Sequence, residues 1–534
     1  MHDVEKQGFG VSEGAFRPAG MLVMARIANI IVALGMIPVL VHFLGGEGFA
    51  AWALLLALSV AFSAFEMGMV PTFVKLAAPL IEQQNRAQVA SVAGHAAAIL
   101  FMAFLAAAPL VLLFSGDIAR ALHLPDGPWL SGAQMIVFVF AAVAVRAVLQ
   151  FGALSFNAAR RFGTLAVFSF AQSLAANCAA TIAAALTGRV DLALAAFWAS
   201  QLAVLVFAAI SAREFYPGVR RLALPRAATL RSMFSHGLKI QICDWAQIIN
   251  FQFDKFLLAS FMGLWTVAPY EVANRGVLAL RSIPISGLDS FLATAAINRE
   301  SGQDPWPQYQ TFTRMASDAA IVFLIIPVVI APVFLYAWTG EMGYAARWAF
   351  LFLLIGAAGN ILAMPAALLA QATGRADIQA RSALASMVIN IPLSIVLVLK
   401  WEMAGAAAGT AIAMLTGSAL LMVQVHRAHG RPLATTLRSL SYAWPLLIAA
   451  LASGVVVYSL FESWLISLDS ATRYAWGTRL YLAMIAGISY VVCLGVMVMV
   501  LIHRGSLLPE QVQFLSRWIR FRWFAAYCLA RKRS

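Results

Sequence analysis

The sequence predicts an all-α integral membrane protein with about fourteen transmembrane helices. Of its 534 residues, 62% are hydrophobic and 11% are charged, whereas a soluble globular chain has about 45–50% apolar and about 25% charged residues. The apolar residues form continuous runs, not the alternating pattern of membrane-spanning strands. Lysine and arginine are concentrated in every second connection, which supports the number of crossings independently.

The apolar segments are each long enough for the roughly 20 residues that a helix needs to cross a bilayer. They lie near residues 20–44, 49–77, 89–114, 132–156, 164–187, 193–212, 233–262, 265–297, 315–338, 347–372, 380–399, 405–425, 442–464 and 477–503. The connections on the N-terminal side of the membrane hold 25 of the 37 lysines and arginines, and the opposite connections hold six. This asymmetry predicts that both termini are cytoplasmic. The net charge of +14 then reflects topology and attraction to anionic membrane lipids, and we expect no nucleic-acid partner.

A weak internal repeat divides the chain into two halves of six helices. With an offset of 218 residues, Phe43 and Gly45 fall on Phe261 and Gly263. Such repeats are common in secondary transporters, which bind substrate between the repeats. The sequence therefore predicts a cytoplasmic segment (1–19), an N-terminal lobe (20–213), a cytoplasmic linker (214–231), a C-terminal lobe (232–426), two further helices (427–503) and a basic cytoplasmic tail (504–534).

Helices seven and eight are the most charged of the apolar spans. A charge within a membrane helix normally faces the bundle interior or a water-filled cavity. At 100° per residue, Asn250 and Asp254 share one stripe, and Glu271, Arg275 and Asp289 share another. Because Glu271 and Arg275 are spaced i and i+4, we expect them to form an ion pair. The charged residues within the predicted spans are Arg26, Arg146, Lys239, Lys255, Arg275 and Arg281, and Glu66, Asp244, Asp254, Glu271 and Asp289.

No cofactor or metal site is indicated by the sequence. The four cysteines are isolated, so neither a disulfide framework nor a metal-binding spacing is present. The histidines are scattered and have no acidic partner at a motif spacing, and we therefore expect no catalytic residues and no enzymatic activity. The polar start of the chain precedes a full-length span, which differs from a cleavable signal peptide.

Three motifs give the chain a recognisable resemblance. They are Asn250-x3-Asp254-Lys255 followed by Gly263 and Val267-x2-Tyr270-x2-Ala273; Leu44-Gly45-x2-Gly48-Phe49-x2-Trp52 leading to Phe65-Glu66-Met67-Gly68; and Gly374-Arg375 through Asn390 to Met403-Ala404-Gly405. In this order and spacing, they resemble the polysaccharide-type flippases of lipid-linked oligosaccharides, a branch of the MOP exporter superfamily. The resemblance covers roughly residues 20–500. Ala268-Pro269 departs from it, because the family often has a glycine before the tyrosine.

The resemblance implies a V-shaped transporter of two six-helix lobes, like the MATE exporters, with two extra C-terminal helices. Its substrate would be an undecaprenyl-pyrophosphate-linked sugar repeat unit, moved across a bacterial inner membrane for exopolysaccharide, capsule or O-antigen synthesis. We expect a monomer that works beside other polysaccharide-assembly proteins. For the pyrophosphate and sugars, we expect contacts from Arg146, Arg275, Arg281, Arg26, Lys255, Asn250 and Asn274. Glu66, Asp244, Asp254, Glu271 and Asp289 would be ion-coupling or structural acids.

Two other functions remain open from the sequence. A multidrug or cation exporter of the same superfamily should have a predominantly acidic cavity, whereas the predicted cavity here has six cations and five acids. A membrane enzyme of polysaccharide assembly usually needs a large outer loop or a group of histidine and acid at the membrane face. The arginines could also serve only to hold helices together.

Overall fold

The computed structural model describes residues 13–216, 241, 245, 248–288, 304–321, 324, 326–440, 459 and 463, which are helices and short turns without a strand. The first half of the chain forms α1 (Glu13–Phe62), α2 (Met69–Glu82), α3 (Arg86–Ala121), α4 (Gly132–Ala158), α5 (Phe162–Thr187) and α6 (Val190–Ser211). The second half forms α7 (248–262), α8 (Leu264–Leu288), α9 (Trp306–Ala320), α10 (Ile326–Thr339), α11 (Glu341–Ala345), α12 (Arg347–Ala372), α13 (Ala376–Ala428) and α14 (Leu433–Ser439).

The helices confirm the predicted fold class. Seven of the described helices are long and apolar enough to cross a membrane. Two of these, α1 and α13, each join two predicted spans across a kink, so the prediction of about fourteen crossings is consistent with the structure. Predicted helices thirteen and fourteen and the basic tail lie outside the described residues, apart from positions 459 and 463, which are helical.

Both kinked helices fold back on themselves as hairpins. In α1 the turn is at Gly45, whose φ of 71° is accessible to glycine at little cost. In α13 it is at Trp401 and Glu402. The two arms of α13 pack closely, because a β-carbon on Gly409 would come within 2.9 Å of the backbone of Ser394. Small residues thus let the two membrane helices approach each other as they do in other membrane bundles.

The backbone supports the internal repeat. Gly45 ends the first arm of α1, and Gly263, at the offset of 218, separates α7 from α8. Both have positive φ, 71° and 85°. Later in the repeat the offset is 214, which places Arg161 on Arg375. At this offset, Gly188 (φ 64°) between α5 and α6 corresponds to Glu402 (φ 49°) between the arms of α13. Turns with a residue of positive φ therefore occur at equivalent places in the two halves.

One predicted span differs in the structure. The apolar run predicts one span over 49–77, but α1 ends at Phe62, a 3-10 turn covers Ser63–Glu66, and α2 begins only at Met69. Met67 and Gly68 between them are left-handed, with φ of 54° and 64°. Hydropathy does not detect this break because the residues around it remain apolar. The equivalent part of α8 is helical as far as Leu288, so the two halves differ here.

The two halves meet where α1 packs against α8. The halves also meet where Trp338 Nε1 of α10 donates to the carbonyl oxygen of Leu34 in α1 over 3.1 Å. His123, in the turn after α3, hydrogen-bonds the carbonyl oxygen of Ala259 over 3.0 Å. Predicted helices one, two, seven and eight surround one space, which is the first cavity described below.

Candidate functional site

A central cavity of about 320 Å³ lies between the two halves of the chain. Both arms of α1 line one side of it, and α7 and α8 line the other. The first half contributes only apolar side chains, whereas the second half contributes the polar ones, which are Gln252, Lys255, Glu271, Asn274, Arg275 and Ser282. The cavity is therefore apolar on one wall and charged on the other.

Three charges on the polar wall form one cluster. Lys255 Nζ lies 2.6 Å from Glu271 Oε2, and Arg275 Nε donates to Glu271 Oε1 over 2.6 Å. Lys255 also donates to Gln252 Oε1 over 2.9 Å. The ion pair expected from the i, i+4 spacing of Glu271 and Arg275 is thus present. We call Lys255, Glu271 and Arg275 the charge cluster.

The charge cluster carries one positive charge in excess. The Lys255 and Glu271 side chains are only 5% and 3% exposed, whereas that of Arg275 is 24% exposed. Burial of a charge is costly unless it is paired, so Lys255 and Glu271 stabilise each other inside the protein. Arg275 remains partly accessible from the cavity, and its guanidinium offers donors that match phosphate or carboxylate oxygens.

A second cavity of about 290 Å³, which we call the rear cavity, lies within the second half between α7, α8, α12 and α13. Arg281 is its cation: Nε and Nη2 both donate to Asn360 Oδ1, over 3.1 and 2.6 Å. The guanidinium carbon also lies 4.9 Å from the centre of the Phe251 ring. Asn250, Gln379, Ser382, Ser386 and Ser418 provide the remaining polar lining.

Asp254 is part of a buried polar network and lines neither cavity. Its Oδ2 accepts hydrogen bonds from the hydroxyls of Tyr270 and Thr410. Thr410 also contacts Asn390 Oδ1, to which Ser394 donates over 2.9 Å. Within the described part of the chain, Asp254 forms no ion pair and its Oδ1 has no hydrogen-bond partner. It is therefore a buried acid held by neutral groups.

Arg146 and Glu66 meet at the break between α1 and α2. Arg146 Nη2 pairs with Glu66 Oε1, and Gln150 Nε2 donates to Glu66 Oε2 over 3.1 Å. A third cavity of about 250 Å³ lies beside them. The amide of Gly68 donates to Gln241 Oε1 over 2.8 Å, which connects this break to the second half of the chain.

The structure thus divides the predicted site residues among several places. Lys255, Glu271, Asn274 and Arg275 share the central cavity; Asn250 and Arg281 line the rear cavity. Asp244, Asp289, Lys239 and the side chain of Arg26 lie outside the described residues. The sequence analysis did not single out Gln252, Asn360 or Thr410 as site residues. Asn360 could have been noticed, because it is a polar residue in the middle of the predicted span 347–372.

No metal site is found among the described residues, where no three His, Cys, Asp or Glu side chains are arranged around a common point. The polar groups of the two cavities are instead cations, amides and hydroxyls, together with the Glu271 carboxylate, which pairs with Lys255 and Arg275. Such groups suit anionic and hydroxyl-bearing ligands.

The comparison with solved structures supports the transporter fold. The chain is similar to a lipid II flippase, MurJ, in an inward closed conformation, with a TM-score of 0.61 and 12% identity over 90% of this chain and 99% of that one. It is also similar to a multidrug resistance MATE family transporter of the MOP superfamily, with a TM-score of 0.59 and 13% identity over 77% of this chain and 98% of that one. A third similar structure is the eukaryotic MATE transporter AtDTX14, with a TM-score of 0.56 and 17% identity over 81% of this chain and 98% of that one. At these identities the likeness concerns the fold alone.

The comparison at the level of sequence identifies the family. No curated protein sequence gives a significant match to the chain. The family model described as polysaccharide biosynthesis protein matches residues 16–290, which is slightly more than half of the chain. This matched region includes α7, α8 and the charge cluster. The chain therefore belongs to the polysaccharide biosynthesis protein family and is a multi-pass membrane protein with the fold of the MOP-superfamily transporters.

Proposed function

We propose that the protein flips undecaprenyl-pyrophosphate-linked sugar repeat units across the bacterial inner membrane for the synthesis of an exopolysaccharide, capsule or O-antigen. The family and the flippase fold support this proposal. We further propose that the chain spans the membrane fourteen times, acts as a monomer, and has both termini in the cytoplasm. Its two six-helix lobes (20–213 and 232–426) are joined by the cytoplasmic linker 214–231.

The charge cluster is the observation that carries the proposal. A pyrophosphate that enters a low-dielectric cavity needs cations there, because a buried anion without a counter-charge is costly. The central cavity supplies Arg275 at its surface and Lys255 behind it, and Glu271 neutralises only one of the two. Asn274 adds an amide on the same wall. The polar wall would hold the pyrophosphate and adjoining sugar, and the apolar wall would face the start of the lipid.

The remaining predicted cations have proposed roles at other steps. Arg146 is paired with Glu66 and is 25% exposed in its side chain, so we propose that it meets the headgroup when this pair opens. Arg26 would assist from the first arm of α1. Asp254 has no ion pair among the described residues, so we propose it as the principal ion-coupling acid, with Glu66, Asp244 and Asp289 in secondary roles. Glu271, by contrast, would be structural because two cations hold it.

The alternative functions are less well supported by the site. A multidrug or cation exporter would concentrate acids at its cavity, whereas in the described part of the central cavity two cations face one acid. A polysaccharide-assembly enzyme would place a general base at a substrate position. No histidine lines any of the three cavities among the described residues.

Deletion of the gene, followed by mass spectrometry of the membrane lipids, tests the proposal. We expect one lipid-linked oligosaccharide to accumulate and to remain on the cytoplasmic leaflet. The purified protein in liposomes should move that same lipid between leaflets, and a control with Arg275→Ala, which keeps the buried Lys255–Glu271 pair, should move it much more slowly. If a sugar-nucleotide or an incomplete oligosaccharide accumulates in place of a complete repeat unit, the protein acts in synthesis and the proposal is wrong.

A further inference from the structure

We infer that the rear cavity is a separate binding site for one acidic saccharide unit of the substrate, bound through its carboxylate to Arg281. The inference rests on the proposed function, since it names a sugar of the repeat unit that would be carried. The inference assigns Arg281 to a different binding site from the cations of the charge cluster. Those line the central cavity, whereas Arg281 and Asn360 line the rear cavity behind α8, and Arg281 also borders a small gap that it shares with Asn274.

Arg281 is held in place by neutral groups and keeps donors for a ligand. Of the five guanidinium N–H donors, two bond to Asn360 Oδ1, and the Phe251 ring lies against one face. No acidic side chain lines the described part of the rear cavity. Arg281 is therefore a positioned cation that has no counter-ion in the described lining of the rear cavity. Its planar guanidinium can donate two parallel hydrogen bonds to a carboxylate.

Two serine hydroxyls provide an independent indication of a ligand. Ser382 and Ser418 are 3% and 7% exposed, and both line the rear cavity. Neither Oγ has a hydrogen-bond partner in the described part of the protein. Ser386, by comparison, donates to the carbonyl oxygen of Ala413 over 2.9 Å. Because an unsatisfied buried hydroxyl is costly, two of them facing one cavity indicate that its occupant is rich in hydrogen-bonding groups.

The lining selects a sugar acid over the pyrophosphate. A pyrophosphate carries at least two negative charges, and the described lining has the single cation Arg281. A sugar carboxylate carries one negative charge and leaves ring hydroxyls to pair with serine and amide side chains. The apolar part of the lining, including Ile285, Met364 and Met414, suits the C–H surface of a sugar ring. The volume of about 290 Å³ is at the lower end of small-ligand sites, as fits one or two sugar rings.

Binding of a soluble glycoside to the purified, full-length protein tests the inference. The probe is methyl β-D-glucuronide, and methyl β-D-glucoside is its neutral match; saturation-transfer NMR and titration calorimetry measure the binding. We expect the glucuronide to bind and the glucoside to bind at least about tenfold more weakly, the usual effect of a lost bond to a charged group. Equal binding of the two glycosides, or no binding of the glucuronide, would overturn the inference.

Substitutions then locate the site. Arg281→Ala should weaken glucuronide binding about 10- to 100-fold, and Arg281→Lys should restore only part of it. Ser418→Ala and Ser382→Ala should each weaken binding about 2- to 10-fold. Since neither hydroxyl has a partner in the described protein, these two changes should leave the apparent melting temperature unchanged or higher. A fall in melting temperature without an effect on binding would show that the serines are structural and would overturn the inference.

Arg275→Ala is the matched control, because Arg275 lines the central cavity and does not line the rear cavity. It should bind the glucuronide as the wild-type protein does, and an equal loss of binding in Arg275→Ala and Arg281→Ala would overturn the separation of the sites.

A phospholipid headgroup is tested by adding phosphatidylglycerol, and displacement of the glucuronide by this lipid at similar concentration would argue against a sugar site. If the glucuronide binds at Arg281 but reconstituted protein flips no lipid-linked oligosaccharide, the proposed function fails. If flipping occurs without this binding, the inference alone fails.

Discussion

Lys255 Nζ lies 2.6 Å from Glu271 Oε2, and this buried ion pair joins α7 to α8 beside the central cavity. Arg275 occupies the other carboxylate oxygen. One acid thus neutralises one of two cations, and the remaining positive charge is available on the cavity wall. The three residues of the charge cluster therefore have different roles, stabilising or ligand-binding, which separate measurements can distinguish.

Glu271→Gln should destabilise the protein more than any other single change in the charge cluster. It leaves Lys255 and Arg275 close together without a counter-charge, and removal of one partner from a buried pair costs about 3–5 kcal/mol. The apparent melting temperature of the purified protein and its amount in the membrane measure this effect. Arg275→Gln keeps the Lys255–Glu271 pair and is the control, and an equal loss of stability in both variants would contradict the assignment.

Arg275→Ala should instead reduce substrate binding at nearly normal protein levels. A hydrogen bond to a charged group contributes about 1.5–3 kcal/mol, so the affinity for a pyrophosphate-linked lipid should fall about 10- to 100-fold. Arg275→Lys should recover part of this affinity, because a lysine keeps the charge but lacks the planar guanidinium that donates two parallel hydrogen bonds. Binding of an undecaprenyl-pyrophosphate lipid to protein in nanodiscs measures the effect. Full affinity in Arg275→Ala would exclude the proposed headgroup site.

Asp254→Asn should uncouple transport from its driving ion and leave the fold intact. The asparagine side chain has the same shape and can still accept the hydrogen bonds of Tyr270 and Thr410, but it carries no charge. Flipping by proteoliposomes should lose its dependence on a proton or sodium gradient at a fixed membrane potential. Tyr270→Phe is the control, since it removes one donor and keeps the acid. Unchanged gradient dependence in Asp254→Asn would assign the acid a purely structural role.

Sequence reasoning located the helices well and the side-chain partners less well. Continuous apolar runs predict spans because every backbone polar group in a bilayer must be paired within its own helix. The same reasoning missed the break at Ser63–Gly68, because the residues on both sides of it are apolar and only the left-handed backbone of Met67 and Gly68 reveals the break. Within one helix, the spacing predicted the Glu271–Arg275 pair correctly.

Contacts between helices could not be obtained from periodicity. Arg146 and Glu66 are 80 residues apart, and Arg281 and Asn360 are 79 apart. A helical wheel shows which face a residue occupies but not which helix lies opposite. For this reason the sequence alone indicates neither Glu66 as the partner of Arg146 nor Asn360 as the partner of Arg281. The two serines of the rear cavity, Ser382 and Ser418, resemble any other small residue in a membrane helix until their surroundings are known.

The proposed topology can be tested by cysteine labelling of intact cells. Trp129 lies in the turn between α3 and α4 and is 66% exposed, so it is replaced by cysteine in a variant without the four natural cysteines. This cysteine should react with a membrane-impermeant maleimide from outside. A cysteine at Arg160, between α4 and α5, should react only after the membrane is opened. The opposite pattern would invert the orientation and both predicted cytoplasmic termini.

Glu402→Gly should stabilise the protein. Glu402 lies in the turn between the two arms of α13 with φ 49° and ψ −129°, a region that is nearly restricted to glycine. The equivalent turn of the first half has a glycine, Gly188, at φ 64°. Such strain costs of order 1–3 kcal/mol, and a glycine relieves most of it, offset by its greater freedom in the unfolded chain.

Glu402→Ala is the matched control for this change, because alanine removes the charge but keeps the β-carbon that causes the strain. We expect the apparent melting temperature to rise in Glu402→Gly and to stay near the wild-type value in Glu402→Ala. Flipping should be unaffected in both, since Glu402 lines none of the three cavities. An equal rise in the two variants would mean that the carboxylate, and not the backbone, is the destabilising feature of this turn.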